Sequence, residues 1–172
     1  WTAPVNLGAN VNTRNWESYP MLSDDGKTLY FSSNRMAGKG GRDIWYCKWN
    51  GESWSKAQNM GSTINTPGDE MAPFLHADGE SFYFASTYHP GFGKSDLFVS
   101  YKNDKEGWTE PKNLGFPLNS SSEDQGIFIA ANGKRAFYSS DREGGLGGSD
   151  LYEFELPKEV RPRIATFLRG RV

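Results

Sequence analysis

The sequence predicts an all-β fold made of β-propeller blades of four antiparallel strands. Three blades are visible, as part of a propeller of six blades or a similar number. Three observations carry this reading. First, one motif recurs at nearly constant spacing: Trp1-Thr-Ala-Pro-Val-Asn-Leu-Gly8, Trp54-Ser-Lys-Ala-Gln-Asn-Met-Gly61 and Trp108-Thr-Glu-Pro-Lys-Asn-Leu-Gly115 stand 53 and then 54 residues apart. Asn12, Asn65 and Asn119 keep that step, as do Gly26, Gly79 and Gly133, and Asp43, Asp96 and Asp150. A period near 50 with four short strands per unit fits a propeller blade. Second, aromatics make up 15% of the chain beside 20 glycines and 9 prolines, a balance that favours short strands and tight turns. Third, no apolar stripe of 3.6-residue period has useful length, so little helix is expected.

Each unit opens with an Asn-rich lead-in loop and a first strand, residues 19–22, 72–75 and 126–129. Pro20 and Pro73 place that strand on a sheet edge, because proline cannot donate to a central ladder. Asp25-Gly26, Asp78-Gly79 and Asn132-Gly133 then read as two-residue hairpin turns. The second strand covers residues 29–33, 82–86 and 136–140, and a Gly-rich loop separates it from a third strand opening at Asp43, Asp96 and Asp150. A second turn leads to the short strand that carries the Trp…Asn-Leu/Met-Gly motif.

The propeller segment is 1–156, with repeats at about 1–53, 54–107 and 108–156. Three blades do not close a ring, since propellers have four to eight. The third unit has no outer strand after Leu156, and the strand at Trp1 belongs to a blade whose earlier strands are absent. Either further blades precede the chain, the expectation preferred here, or copies of it assemble.

The remaining composition narrows the function. A net charge of −2 and a pI near 5.7 give no footprint for nucleic acid. No apolar run reaches the ~20 residues of a membrane-spanning helix. Cys47 is the one cysteine, expected as a small buried hydrophobe, and no internal disulfide can form.

Catalytic motifs are lacking: there is no Gly-x-Ser-x-Gly elbow, and the Gly-rich loops do not precede helices as phosphate cradles do. His76 and His89 lie on different loops without cysteine partners, and no run has EF-hand alternation, so no metal and no cofactor are expected. The triply repeated Asp43, Asp96 and Asp150 suit a structural role, since a catalytic group is needed once. Trp1, Trp54 and Trp108 are read in the same way, as packing between outer strands.

Strand alternation puts the lead-in loops and the Gly-rich loops on one face. That face carries Arg35, Arg42, Arg142, Glu17, Glu70 and Asp124. Two readings stand: a partner-binding face, because binding usually resides in loops on rigid scaffolds, or side chains that knit each blade together.

The stretch Tyr19-Pro…Asp25-Gly26…Leu29-Tyr-Phe-Ser-Ser-Asn-Arg35…Gly40-Gly41-Arg-Asp43-Ile-Trp45 resembles the WD40-like propeller repeats of the TolB protein and of many OmpA-family envelope proteins. The third copy, Tyr138-Ser-Ser-Asp-Arg-Glu-Gly-Gly-Leu-Gly-Gly-Ser-Asp150-Leu-Tyr152, matches best. The second departs, with Thr87-Tyr-His-Pro-Gly-Phe-Gly93 in place of the Asn-Arg and one Gly pair. Residues 157–172 are basic and carry no blade motif. They read as a linker and the first strand, at 164–172, of a following carboxypeptidase-regulatory-like β-sandwich. That order is similar to the multidomain OmpA-family envelope lipoproteins of Bacteroidetes, among them an accessory component of the type IX secretion system. The resemblance implies a periplasmic, outer-membrane-associated scaffold. It also implies envelope or secretion-system proteins as partners, and peptidoglycan attachment through a domain outside this chain. The rival expectations are a glycan-binding or glycan-cleaving propeller, and a propeller that gates a peptidase.

Overall fold

The computed structural model describes residues 1–105 and 107–163. Three antiparallel sheets follow one another along the chain. The first runs β1 (Glu17–Leu22), β2 (Thr28–Ser33), β3 (Asp43–Lys48), β4 (Gln58–Asn59). The second repeats it as β5 (Glu70–Leu75), β6 (Ser81–Ser86), β7 (Asp96–Tyr101), β8 (Lys112–Asn113). The third has three strands: β9 (Asp124–Ile129), β10 (Arg135–Ser140), β11 (Asp150–Glu155). The second and third strands pair in one register throughout, Ser33 opposite Asp43, Ser86 opposite Asp96 and Ser140 opposite Asp150.

β1, β5 and β9 are edge strands that lie against one another between blades. Pro20 and Pro73 sit on them, where the missing N–H breaks no ladder. Each of these strands bulges at one repeat position, with Tyr19 at φ 52°, Ala72 at φ 50° and Gly126 at φ 68°. A left-handed backbone costs a non-glycine residue about 1–2 kcal/mol. Two copies bear that strain and the third relieves it with glycine.

Both faces of the middle sheet are apolar, because the second blade is packed between its two neighbours. Tyr30 and Ile44 of the first blade meet Phe82, Phe84 and Phe98 of the second. On the other face of β6 and β7, Tyr83, Leu97 and Val99 meet Ile127, Ile129 and Tyr138 of the third blade. Every residue of β6 is buried, as befits the central strand of the middle blade. Burying each large side chain contributes about 1.5–3 kcal/mol, so the interblade seams are the core. Cys47 is fully buried among the apolar residues of the first blade, and burial pushes its thiol pKa up.

Two local features differ from the sequence reading or sharpen it. The Asp-Gly hairpins are not two-residue loops. Five residues separate β1 from β2, and Gly26 at φ 68° closes the turn by donating its N–H to Ser23 O at 2.8 Å. Gly79 and Gly133 repeat this geometry. In the Gly-rich loops, glycine is required by close approach. A Cβ on Gly40 would lie 2.3 Å from Thr66 O, and one on Gly93 would lie 2.4 Å from Ser120 O. The Gly-rich loops of the first and second blades thus rest on the backbone of the next lead-in loop.

After β11 the chain turns back. A short 3-10 turn, Lys158–Val160, buries Val160, whose carbonyl accepts the Tyr83 hydroxyl at 2.7 Å. Arg163 donates to Glu80 at 2.6 Å. The expected first strand of a following sandwich, at 164–172, lies outside the described residues.

Gly40→Ala and Gly93→Ala are each expected to destabilise the protein by about 1–3 kcal/mol, the usual range for overpacking. Urea denaturation checks this. A change within error at both sites would show that the loops do not rest on their neighbours.

Candidate functional site

The loop face is built three times from the same parts, and its polar residues turn inward. In the lead-in loop a hydroxyl residue and a carboxylate four positions later close a small ring. Thr66 donates its amide (2.7 Å) and its hydroxyl (2.5 Å) to Glu70. Thr13 and Glu17 do the same at 3.1 and 2.6 Å, and Ser120 and Asp124 at 2.6 and 2.9 Å. Ser33 and Ser86 add a further donor to Glu17 and Glu70.

Over this ring lies a cation. Arg35 reaches Glu17 at 3.1 Å, donates to Val11 O at 2.6 Å and sits 4.9 and 5.1 Å over the Phe31 and Trp45 rings. Arg142 reaches Asp124 at 2.8 Å, donates to Leu118 O and sits over Tyr138 and Tyr152. The second blade has no arginine there. His89 takes the place: its ring lies 5.8 and 5.3 Å from those of Phe84 and Phe98, and Nε2 is 2.9 Å from Ile64 O. Those partners correspond, repeat for repeat, to the partners of both arginines.

Charge balance differs accordingly. For Glu17, burial raises the pKa, but the Thr13 hydroxyl and amide, Ser33 and Arg35 outweigh it and hold the carboxyl below its ordinary value. For Glu70, which is fully buried, burial wins over the Thr66 and Ser86 bonds and the pull of His89, and the pKa is raised. Burial also draws Arg35 down against Glu17, so this ion pair gains less than its geometry alone would give.

A second repeated device lies beneath the Gly-rich loops. Asp43 accepts the Lys39 N–H and the Asn59 Nδ2 at 3.1 Å. Asp96 accepts the Phe92 N–H and the Asn113 Nδ2 at 3.3 Å. Asp150 accepts the Leu146 N–H at 2.6 Å. A Cβ on Gly38, Gly91 or Gly145 would overlap these carboxylates. Asn59 and Asn113 in turn accept from Asn65 and Asn119. Asn65 clamps the backbone of Ile44 at both N (2.8 Å) and O (2.9 Å), and Asn119 clamps Leu97 at the same two distances.

The structure therefore brings Glu17 to Arg35 and Asp124 to Arg142, and keeps Glu70 apart in the second blade. Arg42 stands at the seam of the first two blades, 5.2 Å over the Trp16 ring and 2.7 Å from Met71 Sδ. Trp54 packs on Trp49 at 5.2 Å and Trp108 on Phe82 at 5.0 Å, whereas Trp1 is fully exposed. Sequence reasoning assigned no task to His89 or to the paired asparagines. The recurrence of Asn65 and Asn119 was the available signal for the latter.

The loop face turns several large apolar side chains outward. Lys39, Phe92 and Leu146 share one repeat position, with the backbone N–H held by the aspartate and the side chain exposed. Phe92 is 62% and Leu146 101% exposed, and Met36 (87%) and Tyr88 (61%) stand beside them in the chain. Among the described residues, no three His, Cys, Asp or Glu side chains gather as a metal site would need. No described helix is long and apolar enough to cross a membrane.

No family model and no curated protein matches the chain. Among solved structures it is similar to a protein described as TolB from Agrobacterium tumefaciens. The TM-score is 0.58 at 15% identity, over 84% of this chain and 47% of that one. An α-L-arabinofuranosidase from Lactobacillus brevis aligns at TM-score 0.49 and 21% identity, over 80% of this chain and 47% of that one. The chain spans about half the length of the structures it matches. The first likeness agrees with the three sheets and the repeat: the fold is a run of β-propeller blades.

The two carboxylates predict opposite pH effects. Glu17, with a lowered pKa, adds stability present above its unfolded value and lost as pH falls through its folded value. Glu70, with a raised pKa, is most favourable below its unfolded value, and that contribution is lost as pH rises through its folded value. Urea denaturation of Glu17→Gln and Glu70→Gln against the parent, from pH 4 to 7, is therefore expected to show stability differences of opposite slope. Parallel slopes would mean that the His89 blade is electrostatically the same as its neighbour.

Proposed function

We propose that these blades form a non-catalytic interaction scaffold that binds a protein partner through the loop face, within a bacterial cell-envelope protein. One observation carries the proposal. The Gly-rich loops are pinned from beneath by aspartate, and they present Met36, Tyr88, Phe92 and Leu146 to solvent. Apolar side chains held out on rigid loops mark a protein-binding surface. The charged residues Arg35, Glu17, Glu70, Asp124 and Arg142 act as its foundation, and Arg42 lies at its rim. Periplasmic location, association with the outer membrane and a place beside the type IX secretion machinery are the finer reading. They are supported by the likeness of the repeated motif to OmpA-family propeller repeats. Anchoring to peptidoglycan would fall to a domain outside this chain.

The test is quantitative capture. A partner identified by crosslinking in envelopes is expected to bind Met36→Asp/Phe92→Asp at least about tenfold more weakly, the scale of losing one hot-spot side chain. Thermal stability should stay unchanged. Unaltered affinity would exclude the loop face.

A second reading has its own support. On the opposite rim, a cleft between the first two blades is lined by Tyr30, Tyr46 and Trp108 with Lys48, Asn59 and Lys102. Aromatic and polar groups at an open cleft suit a saccharide. Quenching of Trp108 fluorescence by envelope glycans, abolished in Tyr46→Ala, would favour glycan binding over the scaffold.

A further inference from the structure

The two seams between blades are built alike on the rim opposite the Gly-rich loops, and the chain fills one of them more fully than the other. At the second seam the segment after β11 lies in the cleft. Val160 is buried there, its carbonyl accepts the Tyr83 hydroxyl at 2.7 Å, and Arg161 O accepts the Tyr101 hydroxyl at 3.3 Å. At the first seam the corresponding segment turns back on itself. Asn103 N–H donates to Gly107 O at 3.0 Å, and Trp108 settles on Phe82. Among the described residues a cleft of about 360 Å³ remains beside it, within the range of small-molecule sites.

The residues that differ between the seams are those that line this opening. Strand register makes Tyr30 the counterpart of Tyr83, Tyr46 of Val99 and Lys48 of Tyr101. Equal bonds, Lys102 N–H to Glu80 O and Leu156 N–H to Lys134 O, both 2.7 Å, make Lys102 the counterpart of Leu156. Tyrosine stands at the first position in both seams. The valine, tyrosine and leucine of the closed seam give way to a tyrosine and two lysines at the open one. Both lysines are exposed, and no described carboxylate lines the cleft. Asp25, whose charge reaches Tyr30, is itself held by the Ser23 hydroxyl at 2.6 Å and the Lys27 amide at 3.0 Å.

The walls are aromatic and fixed from behind. The Tyr30 ring lies 6.2 Å from Tyr46 and 5.2 Å from Phe82, and Phe82, fully buried, lies 5.0 Å from Trp108. Burial, with Tyr46 and Asp25 adding to it, pushes the Tyr30 pKa up to about 12, so its hydroxyl is a donor at neutral pH. Rings beside hydroxyl and ammonium donors match the C–H faces and oxygens of a sugar. A lysine ammonium is a point charge without the planar fork of arginine. Two of them therefore ask for negative charge, and leave orientation to the rings.

We infer that the cleft between the first two blades binds an acidic saccharide, a uronic acid, whose carboxylate lies between Lys48 and Lys102. The Tyr30 hydroxyl donates to a sugar oxygen, and Tyr46 and Trp108 lie against the apolar face of the ring. The inference rests on the saccharide reading of this cleft and names the class of sugar.

Calorimetric titration of the 172-residue chain with cellobiouronic acid and with cellobiose tests it, because the two differ only by a carboxylate in place of a CH2OH group. The acid is expected to bind at least about tenfold more tightly, the scale of ~1.4 kcal/mol. That advantage should vanish in Lys48→Met/Lys102→Met, and should shrink in salt of about 1 M, where charges are screened beyond about 3 Å. Both lysines are exposed, so the double variant keeps its fold, which circular dichroism verifies. Equal affinity for the two disaccharides would overturn the inference and leave the saccharide reading standing. No binding of either at millimolar concentration would overturn both. A preference for the acid that survives the double substitution would place the charge recognition elsewhere and overturn the inference. Equal binding of a triglutamate peptide would overturn it too, since the cleft would then read charge alone.

Discussion

The interaction on which the structure depends is a side-chain amide doing the work of a strand. Asn65 and Asn119 each satisfy one backbone N–H and one C=O of the third strand of the preceding blade. That strand otherwise pairs with a two-residue outer strand, Gln58–Asn59 or Lys112–Asn113, and the N–H groups of Met60 and Leu114 share the Ile44 and Leu97 carbonyls with the clamp. A buried backbone group left unpaired costs about 1–3 kcal/mol. The clamp therefore offsets the shortness of β4 and β8. It also fixes where the lead-in loop runs, and hence where the next blade begins.

From the clamp the order passes to the loops. Asn59 and Asn113 carry it to Asp43 and Asp96, and these carboxylates gather the N–H groups of the Gly-rich loops. Asp43 gains little for itself. One oxygen has no partner, and burial raises its pKa despite the bonds to Lys39 and Asn59. Its value lies in position: a fixed acceptor wrapped by glycines leaves a loop one conformation. The cation layer above is more tolerant. Arginine in two blades and histidine in one meet the same needs, an aromatic pair to cover and a lead-in carbonyl to bind.

Much of this was legible in the sequence, and the limits are physical. The repeat placed the strands, the recurrent aspartates and the prolines on edge strands, because each rests on local spacing or on a missing N–H. The hairpins were misread as two-residue turns, because Asp-Gly suits both that turn and a longer loop closed by glycine at positive φ. His89 was missed because it lies three residues after Ser86, where each arginine lies two after its serine. Ring position in space, not offset along the chain, makes them equivalent. The repeated charges could be placed on the loop face, but whether Arg35 points outward or down onto Phe31 and Trp45 depends on packing across the lead-in loop.

The same repeat separates what a blade needs from what a surface offers. At the position four residues before each aspartate, the backbone N–H is always engaged while the side chain changes freely, from Lys39 to Phe92 to Leu146. Constraint and freedom coexist in one residue, because the fold uses only its amide. Positions whose side chains the fold itself uses as hydrogen-bonding partners of backbone keep their chemistry, as the aspartates and the clamping asparagines do. A partner surface on such a scaffold is written in the residues that the repeat leaves unspecified. That is why it lies in outward side chains on loops whose backbones are the most tightly held.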